Sequence, residues 1–384
     1  MRIAVLTETF HPFRGGSAKR YLEVLSRLVR KGYEVDLYTV RLRDEWPEYE
    51  SYMGINIFRT REALRDFITR DGFRSIRAVL KYVKWIYGMI MGERYDLIEA
   101  NHCPIFPMYS GYLKALRDNI PLVGTFHEVW HRNWYWYVRN MIYVPLGIMM
   151  EKLYIHLPDR IVAVSNMVRD RLIRLLNVDG NIVTVIRNGV DIDMFNGVGS
   201  DGVDDSRVIY LGRLNPHKRV DWLLKAFKIL SRRMPGARLE IVGDGPYRGV
   251  YEAIARRLNL DGRVVFHGSI GEVEKIRLLK SSRVYVLPSI REGQSITTLE
   301  AMAAGTPQIV IDIDGNGAVE LLRESRSGLI VKPSIRSIAE AILSIMANDE
   351  LYERLRINGL RYARMNTWDN VADKYNLLYR GLLS

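Results

Sequence analysis

The chain has 384 residues, 48% hydrophobic and 26% charged, which fits a soluble globular protein and is comfortable for two domains with a full core each. Its one cysteine, Cys103, excludes an internal disulfide framework and suits a reducing cytoplasm. A formal net charge of +12 asks for an anionic partner: nucleic acid, a nucleotide diphosphate or an anionic membrane surface.

The first residues, Met1 to Leu6, read as a core strand, so no signal peptide is expected. From there a short β-branched run, a turn and an amphipathic helix recur. Residues 2–7, 35–40, 96–100, 121–126, 160–164 and 182–186 read as strands. A helix is predicted over 18–30, where Tyr21, Leu25, Leu28 and Val29 form an apolar stripe. The most apolar stretch, residues 141–157, is broken by Glu151, Lys152 and His156 and is too short to span a bilayer. Residues 196–205 are small, polar and turn-forming, as in an interdomain linker. The alternation restarts with strands over 207–211, 237–242, 264–266, 284–287, 307–311 and 328–331, and the last hundred residues turn helical, ending in a helix over 368–383. Apolar strands alternating with helices imply parallel sheets covered on both faces. The expected layout is a first domain over 1–190, a linker over 191–206, a second domain over 207–367 and a helix over 368–384 that crosses back. Ligands of such sheets sit beyond the strands' carboxyl ends, so the cleft where two such edges face each other is the expected site.

Four segments at strand ends can carry chemistry. Gly15-Gly16 opens the first helix, where backbone N–H groups can meet a phosphate or sugar, although a simple tight turn explains it equally well. Arg213 and Lys218 follow the first strand of the second domain and can hold a diphosphate, the arginine by its fork and the lysine as a point charge. In the segment 289–303, Ser295 is a plausible N-cap for a helix starting near Ile296 or Thr297. Glu292 lies in the loop before that helix, and Glu300 sits about a turn inside it, where a carboxylate can accept sugar hydroxyls. His127 directly follows the strand over 121–126; a lone histidine is more often structural, but this position favours a functional one. The triplets Asp191-Ile192-Asp193 and Asp312-Ile313-Asp314 read as turn and cap chemistry rather than a metal site, and no Cys/His cluster has zinc spacing.

Taken in order, Gly15-Gly16, His127, Asn188-Gly189-Val190-Asp191, Gly212-Arg213-Leu214 with Lys218, Gly243-Asp244-Gly245-Pro246 and the Glu292 to Glu300 segment resemble the retaining glycosyltransferases of family 4. Two glutamates eight residues apart, followed by Ala301-Met302-Ala303-Ala304-Gly305-Thr306-Pro307, are the most specific part of that pattern. The resemblance implies a GT-B fold: two Rossmann-like, doubly wound α/β domains facing across a cleft. It further implies that Arg213 and Lys218 stabilise the donor diphosphate and Glu292 contacts the donor sugar. By the same resemblance Glu300 holds the ribose, and the amides around Ser295, Ile296 and Thr297 meet phosphate. Ser269 and Ile270 fall where backbone holds the base, His127 lines the sugar site, and Gly16 lies beside phosphates and acceptor. The pattern departs at Gln294-Ser295, at residues 314–320 and at Arg219, where the family commonly has glycine.

The expected activity is hexose transfer from a nucleotide-diphosphate sugar, which is the donor substrate and not a cofactor, to a lipid or sugar hydroxyl, with no metal. An epimerase or phosphorylase on the same fold, and a non-catalytic nucleotide-sugar-binding subunit, stay open as alternatives. Nucleic-acid binding is not expected, because no recognition helix, zinc finger or RNA-binding aromatic signature accompanies the charge. A cytoplasmic protein, peripheral on the inner face of the cell membrane, is the expected location. Arg74, Arg77, Lys81 and Lys84 fall on one face of a predicted helix beside Ile76, Val79, Leu80, Val83, Trp85 and Ile86. Trp130, Trp134, Tyr135, Trp136 and Tyr137, with His131, Arg132 and Arg139, form a second segment suited to lipid headgroups.

Overall fold

A computed structural model describes residues 1–13, 15–69, 74–102, 106–131, 134, 141–200 and 202–383. Two compact units result: Met1–Asn188 with Trp368–Ser384, and Gly189–Thr367.

The first unit runs β1 (Arg2–Leu6), α1 (Gly16–Arg30), β2 (Glu34–Thr39), β3 (Tyr49–Tyr52), β4 (Ile55–Arg59), α2 (Ile76–Met91), β5 (Leu97–Asn101) and α3 (Phe106–Asp118). It continues with β6 (Leu122–Phe126), α4 (Val144–Tyr154), β7 (Arg160–Ala163), α5 (Asn166–Leu176) and β8 (Val183–Val185). The sheet order is β3-β4-β2-β1-β5-β6-β7-β8. All pairings are parallel except β3 with β4. Period-2 alternation divides each strand between faces: Ala4, Leu6, Ile98 and Ala100 join Val79 and Tyr82 of α2, Met108 of α3 and Tyr154 of α4 in one apolar cluster.

The second unit runs α6 (Ile192–Gly197), β9 (Asp204–Leu211), α7 (Val220–Arg233), β10 (Arg238–Val242), α8 (Arg248–Arg257), β11 (Val264–Gly268) and α9 (Glu272–Lys280). After these come β12 (Ser282–Leu287), α10 (Ile296–Ala304), β13 (Gln308–Ile311), α11 (Ala318–Ser325), β14 (Gly328–Val331), α12 (Ile335–Met346) and α13 (Asp349–Met365). Its strand order, β11-β10-β9-β12-β13-β14, is entirely parallel. In both sheets the order reverses beside the first strand, the topology that gathers ligand-binding loops at the carboxyl edge.

Several expectations change. The hairpin β3–β4 turns through Met53 and Gly54, both at positive φ, 52° and 78°. Its turn lacks the Asn-Gly or Asp-Gly signal, so the sequence hid it. Residues 191–206, read as a linker, fall in the second unit and carry α6 and the start of β9. Asp191 nucleates α6 by accepting the Met194 amide at 3.0 Å.

Arg74 is not on the basic helix face: it precedes the N-cap Ser75, and its Nε donates to buried Glu8 at 2.9 Å. Nor do Trp130 and Trp134 face outward; both are buried. Their indole N–H groups donate to His102 Nε2 at 3.2 Å and to Glu151 Oε2 at 3.0 Å. Buried Glu151 also accepts the amides of Trp130 and His131, which fixes the loop from inside. Arg132, Tyr135, Trp136, Tyr137, Arg139 and Cys103 lie outside the described residues.

The terminal helix α14 (Trp368–Leu383) packs against α1 in the first unit. Asp369 meets Arg27 at 3.1 Å, Asp373 meets Lys31 at 2.6 Å, and Tyr33 donates to Asn376 at 2.8 Å. Beneath this seam Arg20, 1% exposed, donates to Asn188 and to the Ile186 carbonyl, both at 2.7 Å, and to the Tyr375 hydroxyl at 3.0 Å. Glu99 on β5 lies in the same buried layer and accepts Thr125 Oγ1 at 2.7 Å.

Burial pushes the Glu99 acid up to about 7, against the pull of the Thr125 hydrogen bond and the Arg20 charge. The folded chain therefore keeps a proton that the unfolded chain releases near 4.5, so stability falls as pH rises from about 4.5 through 7. The shift corresponds to about 3 kcal/mol. Wild type should lose up to that amount relative to Glu99→Gln between pH 4 and pH 8 in urea unfolding. Parallel pH profiles for the two proteins would show that Glu99 is not the titrating group.

Candidate active site

In the second unit the loops leaving β9, β10, β12 and β13 pack on one another at the carboxyl edge. The β9 loop rests on the β10 loop through Gly243, at φ +125°, where an added Cβ would lie 2.0 Å from the Gly212 carbonyl oxygen. The Leu214 amide donates to Asp244 O at 3.0 Å, and buried Tyr210 donates its hydroxyl to Arg213 O at 3.0 Å. These contacts fix the backbone of Arg213, whose side chain stays exposed. The β12 loop is held from both sides. Ile290 N donates to His217 O at 2.9 Å, Glu292 N to Gly315 O at 2.9 Å, and Gly317 N to Glu292 O at 2.8 Å.

Backbone fixation brings the charges together. Lys218 Nζ lies 2.5 Å from Glu292 Oε1, joining two residues 74 apart in sequence. Burial pushes the His217 imidazole well below its ordinary range, and the Lys218, Arg291 and Arg213 cations push it further. His217 is thus neutral among three cations, which is a fixed positive field suited to a polyanion. Arg219 adopts φ 51°, a left-handed conformation that favours glycine. Its fork on Asp221, at 2.9 and 3.0 Å, and its place 4.3 Å over the Trp222 ring offset that strain.

Helix α10 starts at Ile296, with Ser295 Oγ accepting the Thr298 amide at 3.2 Å. Thr297 Oγ1 is 2.7 Å from the Tyr285 hydroxyl and 3.0 Å from Ser295 Oγ, which orders the first turn, and helical geometry leaves its amides without intrahelical acceptors. Glu300, one turn on, is buried and accepts from Lys275 Nζ at 2.9 Å. Exposed Ser269 and half-buried Ile270 form the connector between β11 and α9, beside Gly268 at φ +68°.

The first unit contributes two further candidates. Gly15 is the N-cap of α1 and Gly16 its first residue, with no side-chain cap. His127 follows β6; burial pushes its imidazole well below the ordinary range, with Arg20 and His102 adding to the effect. It is therefore neutral at physiological pH, and its buried Nε2 has no hydrogen-bond partner among the described residues. Tyr21 packs edge-on against it at 6.3 Å.

Among the described residues no group of three or more His, Cys, Asp or Glu side chains is placed to hold a metal ion. Asp191 caps α6, and Asp312 pairs with Arg323 at 3.2 Å.

Comparison with known proteins decides the family. The profile for glycosyl transferases group 1 matches residues 200–362, and that for glycosyltransferase family 4 matches residues 14–194. The chain belongs to the family 4 glycosyltransferases. An uncharacterized glycosyltransferase of Methanocaldococcus jannaschii is 29% identical, over 99% of this chain and 98% of its own. In structure the enzyme is similar to sucrose-phosphate synthase of Thermosynechococcus elongatus, with TM-score 0.81, 22% identity, and 99% and 98% of the two chains covered. It is also similar to the Anabaena protein HepE in complex with UDP-glucose, with TM-score 0.75, 17% identity, and 99% and 100% covered. These neighbours are GT-B glycosyltransferases, and the two parallel-sheet units of this chain have that fold.

Sequence reasoning missed Arg291, Lys275 and His102. Arg291 was legible as a third base beside Glu292. Lys275 was not, because a lysine inside a helix acquires its partner only by folding; His102, just past the strand read over 96–100, carried the same signal as His127.

The loop packing predicts one intolerant position. A Cβ on Gly317 would lie 2.1 Å from the Gly293 carbonyl oxygen, so Gly317→Ala must displace the loop that carries Glu292. We expect a loss of about 1–3 kcal/mol in stability and at least a tenfold loss of transfer. Exposed Gly249, with no atom within 4 Å of an added Cβ, is the control. Thermal unfolding of Gly317→Ala and Gly249→Ala should separate the two, and equal melting temperatures would contradict the packing argument.

Proposed function

We propose that this glycosyltransferase moves a hexose from a nucleoside-diphosphate sugar to an acceptor hydroxyl with retention of anomeric configuration and without a resident metal. The observation that carries the reading is Lys218 on Glu292 at 2.5 Å, with Arg213 and Arg291 close enough to depress His217. Negative charge builds on the diphosphate as the anomeric C–O bond breaks. Fixed cations and the α10 N-terminus stabilise that charge without reorganising. In this reading Lys218 and Arg213 hold the diphosphate, the amides of Ser295, Ile296 and Thr297 meet phosphate, and Ser269 and Ile270 hold the base. Glu300 takes the ribose hydroxyls. Glu292, oriented by Lys218, takes hydroxyls of the donor sugar. Neutral His127 lines the sugar site as a hydrogen-bonding group, and Gly15 and Gly16 leave backbone accessible beside it. The acceptor attacks from the face the diphosphate leaves, and a diphosphate oxygen takes its proton. The HepE complex with UDP-glucose supports the donor class.

Replacing Arg213 or Lys218 by Ala should lower kcat roughly ten- to a thousand-fold, since each acts most strongly on the transition state. The same assay should be unaffected by EDTA. Unchanged kcat in both variants, or activity lost to chelator and restored by Mg²⁺ or Mn²⁺, would overturn the reading.

The acceptor is proposed to be a lipid or lipid-linked sugar reached at an anionic membrane surface. Support comes from exposed side chains on the two helices α2 and α4, both packed on the same apolar cluster of the first sheet. On α2, Ile76, Leu80 and Tyr87 share the outer side with Arg77, Lys81 and Lys84. Lys81 also meets Glu62 at 2.8 Å in a solvent-exposed pair. Before and along α4, Met141, Ile142, Leu146, Met149 and Leu153 are exposed, with Lys152 among them. Apolar side chains flanked by bases favour anionic headgroups, at about 1 kcal/mol per cation. Among the described residues no helix is long and apolar enough to cross a membrane, so contact would be peripheral. Liposome co-sedimentation should require anionic lipid, weaken with salt, and fall when Arg77 and Lys84 become Glu or Leu146 and Met149 become Ser. Full recovery in the supernatant with anionic vesicles would favour a soluble acceptor.

A further inference from the structure

The two glutamates of the 292–300 segment each have a lysine, but the two lysines come from different places. Lys218 reaches Glu292 from the loop after β9. Lys275 reaches Glu300 from α9, where its side chain turns inward beside buried Ile276 and Leu279. Lys275 is 8% exposed and Glu300 3%, so this pair is the drier of the two. The Lys275 ammonium bridges Glu300 Oε1 at 2.9 Å and Glu272 Oε2 at 2.7 Å. Glu300 sits between Leu299 and Ala301, both fully buried, on the helix whose N-terminus faces the proposed phosphates.

We infer that Lys275 is a positioning residue for the donor's nucleoside, holding the Glu300 carboxylate ionised and in one rotamer so that it accepts the ribose hydroxyls. The inference rests on the donor site proposed above and adds to it the residue that makes Glu300 competent. A buried carboxylate without a cation either takes a proton or swings toward water. A protonated acid loses acceptor capacity, and a displaced one loses its aim. A carboxylate offers about four lone-pair sites on two oxygens, so the Lys275 bond to Oε1 does not by itself exhaust its capacity to accept from a vicinal diol. Exposed Glu272 gives the ammonium a second acceptor at 2.7 Å.

A merely structural brace between α9 and α10 would alter stability but not ribose recognition, and this difference sets the test. Whichever of UDP, GDP and ADP binds tightest by calorimetry is compared with its 2′,3′-dideoxy counterpart, on wild type, Lys275→Met, Lys275→Arg and Glu300→Gln. Hydrogen bonds to a charged acceptor should make wild type prefer the ribonucleotide by roughly 10- to 100-fold. Lys275→Met should reduce that preference to within about threefold, close to Glu300→Gln, through weaker ribonucleotide binding alone. Lys275→Arg should restore most of it. If Lys275→Met is insoluble, Lys275→Gln, which keeps a neutral donor, should show an intermediate preference. Equal binding of both nucleotides to wild type, or no nucleotide binding, would overturn the role of Glu300 itself. A wild-type preference that survives intact in Lys275→Met or Lys275→Gln would leave Glu300 in place and remove Lys275 from it.

Discussion

Removing an ionised carboxylate from water costs several kcal/mol unless a cation meets it in good geometry. The second unit places two glutamates at or near the carboxyl edge of its sheet, and both are answered. Glu292 is met by Lys218 at 2.5 Å and Glu300 by Lys275 at 2.9 Å. Each lysine comes from a different connection, so the two pairings tie the β9–α7 loop, α9, the β12–α10 loop and α10 into one edge. A change in any of those segments is felt as an unpaired buried charge, which is why the site is more demanding than its polar composition suggests.

Such pairing works only if the loops lie close enough, and small residues set that distance. Gly243 lets the β9 and β10 loops touch, and Gly317 lets the loop after β13 lie against Gly293. Asn316 adds side-chain bonds to the carbonyls of Ser289 and Ile311 at 3.2 and 3.0 Å. The parallel topology supplies the rest: with every strand of this sheet running the same way, all the loops after strands gather at one edge.

His102, His127 and His217 carry no charge at physiological pH. Burial pushes His127 and His217 well below their usual range and holds His102 at about 3. Positive charge in the second unit's site therefore comes from lysine and arginine, whose ionisation does not change between pH 5 and 8. Glu99, buried under the α1–α14 seam and pushed up to about 7, titrates in that window. The first unit's stability and the second unit's charge are thus set to respond differently to pH.

The sequence alone was enough for the alternation of strands and helices, because apolar runs and 3.6-residue stripes are local signals. It was enough, too, for the start of α10 at Ile296, since Ser295 and its helix lie within four residues. The ordered series from Gly15-Gly16 to Glu300 and the motif that follows it carried the family for the same reason. The β3–β4 hairpin escaped, because Met53 occupies a left-handed position that propensity assigns to Asn or Gly. Burial could not be read locally either: Trp130 and Trp134 looked like headgroup aromatics, and Arg74 like a surface base, until Glu151, His102 and Glu8 were brought to them. Lys275 shows the limit most clearly. A lysine among Glu272, Glu274 and Arg277 reads as solvated helix surface, and only packing α9 beside α10 turns it inward onto Glu300, 25 residues away. Composition and spacing determine which residues are available; which charges lose their water, and therefore which must find each other, is decided by the tertiary structure.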